Sequence, residues 1–285
     1  MKPAQFQYHA PERLEEATTL LAELGDGAKP LAGGQSLVPM MSLRLATFDH
    51  LVDLNRIAGL ASIERTNGHL RIGAMVRQAT AEHNPDVAAA APLLARALPL
   101  IGHFQIRNRG TVGGSIAHAD PASELPAVVL ALDATIEAAG PDGTRRIPSG
   151  DFFLSMWDTA LVDTEILAAV EFPVWGPRSG FAIEEVARRH GDFALVGTAV
   201  AVQCTDGDSV SRAGISLFGI GPTAIRCHEA EAALLSGARP DKVGQIAAST
   251  ITPADDVHAS GAYRRQVAAV VIRRAITAAL KEAQS

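Results

Sequence analysis

Two glycine-rich stretches carry the most suggestive chemistry in this 285-residue chain. One is Ala32-Gly33-Gly34-Gln35-Ser36, and the other is Thr111-Val112-Gly113-Gly114-Ser115. Each sets a doubled glycine among small hydroxyl or amide side chains. Glycine has no Cβ, so such a stretch lets several main-chain N–H groups approach one anion. Two of them can grip the two phosphates of a dinucleotide from opposite sides. A lone Gly-Gly is equally at home in a tight turn, so neither stretch decides the matter by itself. Neither follows the G-x-G-x-x-G fingerprint or the G-x-x-x-x-G-K-[ST] loop, so a nucleotide site here is of another design.

The flanking residues extend this reading. The hydroxyls of Ser36, Thr111 and Ser115 add hydrogen bonds for phosphate oxygens. Lys29, Arg107 and Arg109 lie beside the stretches, where they either offset phosphate charge or face solvent as ordinary cations. Asp120 and Glu124 follow the second stretch. A carboxylate there accepts hydrogen bonds from ribose hydroxyls, or, for Glu124, complements a helix dipole from the first turn. His118-Ala119-Asp120 reads more simply as a polar turn capping that helix. Phe193 ends the run Arg188-Arg189-His190-Gly191-Asp192-Phe193. It either lies against a flat ring system or fills a core at a strand start. Gly113-Gly114-Ser115-Ile116-Ala117 approaches a nucleophile elbow but lacks its last glycine. The nine histidines show no metal-ligand spacing.

Composition narrows the function classes. Hydrophobic residues make up 47% and charged residues 20%, as in soluble globular domains. A net charge of −6 gives no basic footprint for nucleic acid. No apolar run reaches the roughly 18 residues of a membrane span, and Met1 to Phe6 lacks a signal-peptide core. The two cysteines, Cys204 and Cys227, suit a reducing cytoplasm and cannot supply the four thiolates of an iron–sulfur cluster.

Three lobes must position these residues. In the first, to residue 56, Pro11 opens a helix whose Leu14, Ala17, Leu20, Leu21 and Leu24 form one apolar face. A strand over 29–32 runs into the first glycine stretch, a short helix spans 36–45, and a strand spans 51–54. The second lobe, 57–176, begins with a hairpin about Asn67-Gly68. A buried helix over 87–100 and a helix over 124–132 flank the second glycine stretch. A hairpin turns at Pro141-Asp142-Gly143, and a strand over 165–172 closes the lobe. Pro173-Val174-Trp175-Gly176-Pro177 reads as a linker. The third lobe, 177–285, has strands over 181–188, 194–204 and 210–219, then helices over 228–236, 240–250 and 261–282. Strands followed by helices predict an α+β architecture.

In this order, the stretches Leu31–Leu45, Ile106–Pro121, Ala187–Ala194 and His258–Arg265 resemble the FAD-binding medium subunit of the molybdenum hydroxylases, the carbon monoxide dehydrogenase and xanthine dehydrogenase family. The resemblance implies a two-lobed FAD-binding domain of the vanillyl-alcohol-oxidase type over 1–176 and a C-terminal flavoprotein domain over 177–285. It assigns the FAD pyrophosphate to Lys29, Pro30, Leu31, Ala32, Gly33, Gly34, Gln35 and Ser36, and to Gly110, Thr111, Val112, Gly113, Gly114 and Ser115. It places Ile101 and Phe193 beside the isoalloxazine, Asp120 and Glu124 near the nucleotide, and Ile166 or Leu167 against the flavin or adenine. Gln35 stands where close relatives often have histidine, and Glu184 and Glu185 where some have lysine. The implied chemistry is an electron relay. A large subunit with a molybdenum cofactor oxidises the substrate, a small subunit passes electrons through iron–sulfur clusters, and FAD here delivers them to an outside acceptor. A dimer of heterotrimers is the implied assembly. A stand-alone flavoprotein and a non-enzymatic assembly protein are the competing readings.

Overall fold

The computed structural model describes residues 2–66 and 68–285. Asn67 of the expected hairpin turn lies outside the described residues. Strand β1 (Gln7–His9) precedes helix α1 (Leu14–Leu24), β2 (Ala28–Leu31), α2 (Leu37–Ser42) and β3 (His50–Asp53). The strands form a parallel sheet in the order β1-β3-β2. α1 buries Ala17, Thr18 and Leu21 against it, as the three-to-four spacing of its apolar residues requires. β1 escaped the sequence reading: its pattern is largely exposed, so no alternation marks it, and only pairing with β3 defines it.

The next segment holds β4 (Ile63–Thr66), β5 (His69–Gly73), α3 (Gln78–Glu82), α4 (Pro85–Ala90), α5 (Pro92–Ala97), α6 (Phe104–Arg107), α7 (Val112–His118) and α8 (Glu124–Ala131). It continues through β6 (Thr135–Gly140), β7 (Gly143–Pro148), the short pair β8 (Phe153–Ser155) and β9 (Asp158–Thr159), and β10 (Ile166–Pro173). Five strands form an antiparallel sheet in the order β4-β5-β10-β6-β7. The single helix expected over 87–100 is in fact α4, α5 and a 3₁₀ turn. Asn84 caps α4 through its side chain, and Pro92 restarts the chain as the first residue of α5, because a proline cannot donate the helical N–H. The second glycine stretch is likewise a helix start, α7, rather than a free loop.

The last segment contains β11 (Ser179–Val186), β12 (Val196–Cys204), β13 (Val210–Phe218), β14 (Ile225–Arg226), α9 (His228–Leu235), α10 (Pro240–Ser249) and α11 (Gly261–Ala283). The strands form an antiparallel sheet in that order. β11 to β13 and the three helices match the expected elements within two residues at each end, and the two-residue β14 was not expected. The architecture is α+β, as expected.

Helix α8 joins the two halves. All eight of its residues are buried, Glu124 among them, which is the signature of a helix covered on every side. One side packs into the core beneath the five-stranded sheet. The other meets β13 so closely that a Cβ on Gly214 would overlap the Ala131 carbonyl. Ser216 Oγ donates to Ala127 O at 2.7 Å, and Arg226 Nη1 to Leu130 O at 2.7 Å. Arg96 on α5 also forms a two-pronged ion pair with Glu282 on α11 at 2.7 and 2.6 Å.

Candidate functional site

Strands β2 and β3 run parallel, and their carboxyl ends release Ala32–Ser36 and Asp53–Arg56 on the same edge. Such edges are where open parallel sheets present ligands. Gly34 takes φ of +71°, a conformation that costs glycine little. Among the described residues, the main-chain N–H groups of Gly33, Gly34, Gln35, Ser36 and Leu37 have no acceptor. Gln35 folds back instead, its Nε2 donating to Gly33 O at 3.0 Å. The result is a row of successive unpaired amides, a concavity suited to an anion.

The second stretch reaches the same place from α7. Thr111 is the N-cap, and its Oγ1 accepts from Gly114 N at 3.0 Å. The two bends touch: a Cβ on Gly33 would overlap Arg109 O and come within 2.7 Å of Gly110 Cα, and one on Gly114 would lie 3.2 Å from Ala32 Cβ. Gly113 is held against Ala74, whose Cα a side chain would meet at 2.5 Å. Close approach of backbone to backbone therefore requires Gly33 and Gly113, while the positive φ requires Gly34 and the packed Thr111 hydroxyl requires Gly114. A cradle that any larger side chain would fill, floored by free amides, suits the diphosphate of FAD.

The structure corrects one part of the expectation. The amides of the second bend are already used: Val112 N donates to Val76 O, Gly113 N to Ala74 O and Ser115 N to Thr111 O. What it offers a ligand is the Thr111 N–H, which has no acceptor among the described residues, and the hydroxyls of Thr111 and Ser115. Arg107 is also withdrawn. Its Nε pairs with Glu82 at 2.7 Å, and its Nη1 donates to Ile101 O at 3.1 Å. Lys29 and Arg109 stay exposed beside the bends.

The side chains of Ile166 and Leu167 pack into cores. They lie at the start of β10, paired with Ala139 and Ala138, and are only 2% and 4% exposed. Adjacent strand residues point to opposite faces, so the two fill different cores. Phe193 is the reverse case: it lies outside both flanking strands and is 65% exposed, which excludes a core role. Its loop leans on the turn after Ile101, where a Cβ on Gly191 would sit 3.0 Å from Gly102 O. The His103 and His190 rings are 6.4 Å apart. Ile101 and Phe193, 92 positions apart, thus lie on neighbouring turns. A cavity of about 430 Å³ opens there, lined by Arg188, Arg189 and Asp192.

Behind the second bend lies a cluster of carboxylates. Ser115 Oγ and Ser123 Oγ are 3.3 Å apart, linking α7 to the start of α8. Asp120 forms a local turn, accepting from Ala122 N at 2.9 Å, and does not cap α8. Burial raises the Glu124 carboxyl from its ordinary 4.5 to about 8, and the nearby charges of Glu185 and Asp120 add to the rise. Burial also raises Glu185 to about 7, and its Oε2 has no partner among the described residues. The unfolded chain releases these protons near 4.5, so ionising them is costlier in the fold. Their stabilising contribution is full below about 4.5 and lost as pH rises through about 7 to 8. The FAD-free chain is therefore expected to melt at a lower temperature at pH 8.5 than at pH 5.5, by calorimetry. Glu124→Gln is expected to flatten that difference; an unchanged slope would contradict the buried-acid assignment.

Two residues missed by the sequence reading complete the site, Asn55 and Arg77. Asn55 follows β3, and Arg77 faces Thr111 through an isolated antiparallel bridge. The only sequence signal was the position of Asn55 just past the end of a parallel strand.

With this geometry in view, comparison with known proteins is decisive. Residues 4–175 match the family described as the FAD binding domain in molybdopterin dehydrogenase. The chain belongs to this family. Residues 181–279 match the CO dehydrogenase flavoprotein C-terminal domain. This flavoprotein is 40% identical to the 6-hydroxypseudooxynicotine dehydrogenase complex subunit alpha of Paenarthrobacter nicotinovorans, covering 100% of this chain and 97% of the relative. It is 39% identical to the carbon monoxide dehydrogenase medium chain of Hydrogenophaga pseudoflava, over 98% of each. A solved carbon monoxide dehydrogenase from the same organism superposes with a TM-score of 0.95 at 40% identity, over 99% of both chains. Quinoline 2-oxidoreductase from Pseudomonas putida 86 gives 0.93 at 34% identity, over 100% of both. The flavoprotein is thus an oxidoreductase component of the molybdenum hydroxylase type. Among its described residues no helix is long and apolar enough to cross a membrane.

Proposed function

We propose that this flavoprotein subunit holds FAD with its diphosphate between the Gly33–Leu37 amides and the Thr111–Ser115 turn. The contact between the two bends carries this reading. The FAD, when bound, supplies an electron relay from iron–sulfur clusters of a small partner subunit to an external acceptor. The chain's own residues bind and orient it. Free amides and the Thr111 and Ser115 hydroxyls take the phosphate oxygens, and Lys29 and Arg109 offset their charge. In this reading Glu124 accepts from a ribose hydroxyl. Ile101 and Phe193 border the ring system and screen it from water.

The partners in this reading are a molybdenum-cofactor large subunit and an iron–sulfur small subunit, assembled as a dimer of heterotrimers in the cytoplasm. We divide the labour at the segment after β10, with 1–176 binding FAD and 177–285 covering it. Affinity purification of the chain from its native cells, with metal and flavin analysis, tests this. Molybdenum, iron and FAD in near-constant ratio with two further subunits are expected. A yellow chain that purifies alone and free of metal would point instead to a stand-alone flavoprotein.

A further inference from the structure

We propose that Asn55 and Arg77 form a brace that sets the separation of the two glycine bends, and thereby the grip on the diphosphate. The inference rests on the FAD reading above and assigns two positioning residues beyond it. Asn55 Nδ2 donates to Ala32 O at 3.1 Å, on the first bend. Asn55 Oδ1 accepts from Arg77 Nη2 at 2.5 Å. Arg77 Nη1 donates to Arg109 O, at the entry to the second bend. Two side chains thus tie backbone to backbone across 77 residues of sequence. Among the described residues no main-chain hydrogen bond joins the bends directly.

The brace is held in one sense. Asp53 Oδ1 accepts from the Asn55 main-chain N–H at 3.0 Å and also from its side-chain amide. Tyr8 OH donates to the other carboxylate oxygen. Ala32 O and Asp53 can only accept and the guanidinium can only donate, so a single amide orientation satisfies all of them. Packing of Gly33 on Arg109 and Gly110 sets how close the bends come, and the brace sets how far apart they drift. Arg77 makes no ion pair with a carboxylate among the described residues. Burial first, and then the like charge of Arg109, holds its guanidinium below the ordinary value. Two cations that strain against each other at the mouth of an amide-lined cradle are relieved by an anion.

The test is titration of the FAD-free full-length chain with FAD, followed by quenching of flavin fluorescence. Failure of the unaltered chain to bind would overturn the FAD reading itself. If it binds, Asn55→Ala and Arg77→Lys are each expected to weaken affinity at least tenfold without moving the thermal midpoint of the FAD-free chain. Arg77→Lys keeps the charge and loses the two-pronged reach. Binding by that variant as tight as the unaltered chain would overturn the brace. In the double variant a brace already cut once loses nothing more, so its affinity is expected to equal that of the weaker single variant. Fully additive losses would likewise overturn the proposal.

Discussion

The Gly114→Asp chain is expected to purify without FAD and to stay colourless when FAD is added. Gly114 occupies the third residue of α7, where its N–H is taken by the Thr111 hydroxyl. Any Cβ there would sit 2.7 Å from that hydroxyl and 3.2 Å from Ala32 Cβ. The new side chain pushes the bends apart and sets a negative charge where the diphosphate is proposed to lie. A loss of affinity on the order of 100-fold or more, about 2.7 kcal/mol, is expected. An acid in the first helical turn complements the helix dipole, so helix α7 itself is not undermined by the charge. Circular dichroism of the variant is expected to match the unaltered chain, which separates lost binding from lost folding. Full FAD occupancy in the variant would remove the second bend from the site.

Arg226→Met is expected to cost the fold about 3–5 kcal/mol, the usual penalty for breaking a buried ion pair from one side. The Arg226 side chain is 14% exposed, and its Nε meets Glu231 Oε1 at 2.6 Å; the Glu231 side chain is 9% exposed. The same guanidinium donates to Leu130 O on α8 and pairs with Asp133 just beyond it. Removing it leaves a buried carboxylate whose remaining partners among the described residues are the Ile215 N–H at 2.8 Å and His228 Nδ1 at 3.4 Å. It also cuts a tie between α8 and the C-terminal sheet. Urea denaturation measures the loss. The double variant Arg226→Met/Glu231→Gln is expected to recover part of it, since the stranded charge is gone. A single variant as stable as the unaltered chain would mean that apolar packing and the Ser216–Ala127 hydrogen bond hold the seam at α8 without help from Arg226.

Much of the fold was legible in the residues. The 3–4 spacing in α1, the glycine-centred turn at 141–143 and the helices after residue 228 all report preferences that act within one turn or one hairpin. The helical character of α8 was legible but not its complete burial, and the paired glycines announced an unusual approach of backbone. The resemblance carried by those glycine stretches and by Ala187–Ala194 identified the family before any coordinates.

Other features were decided only in three dimensions. The exposed residues of β1 become a strand because β3 offers them an edge. Arg107 loses its place beside the phosphates because Glu82 lies within reach. Ile166 and Leu167 are claimed by two cores on opposite faces of one strand. Asn55 and Arg77 gain their meaning from carbonyls far away in sequence. Periodicity and turn residues fix what each short segment prefers, since those energies arise among near neighbours. Which distant segment meets which side chain depends on how the assembled layers pack, and no local pattern encodes that.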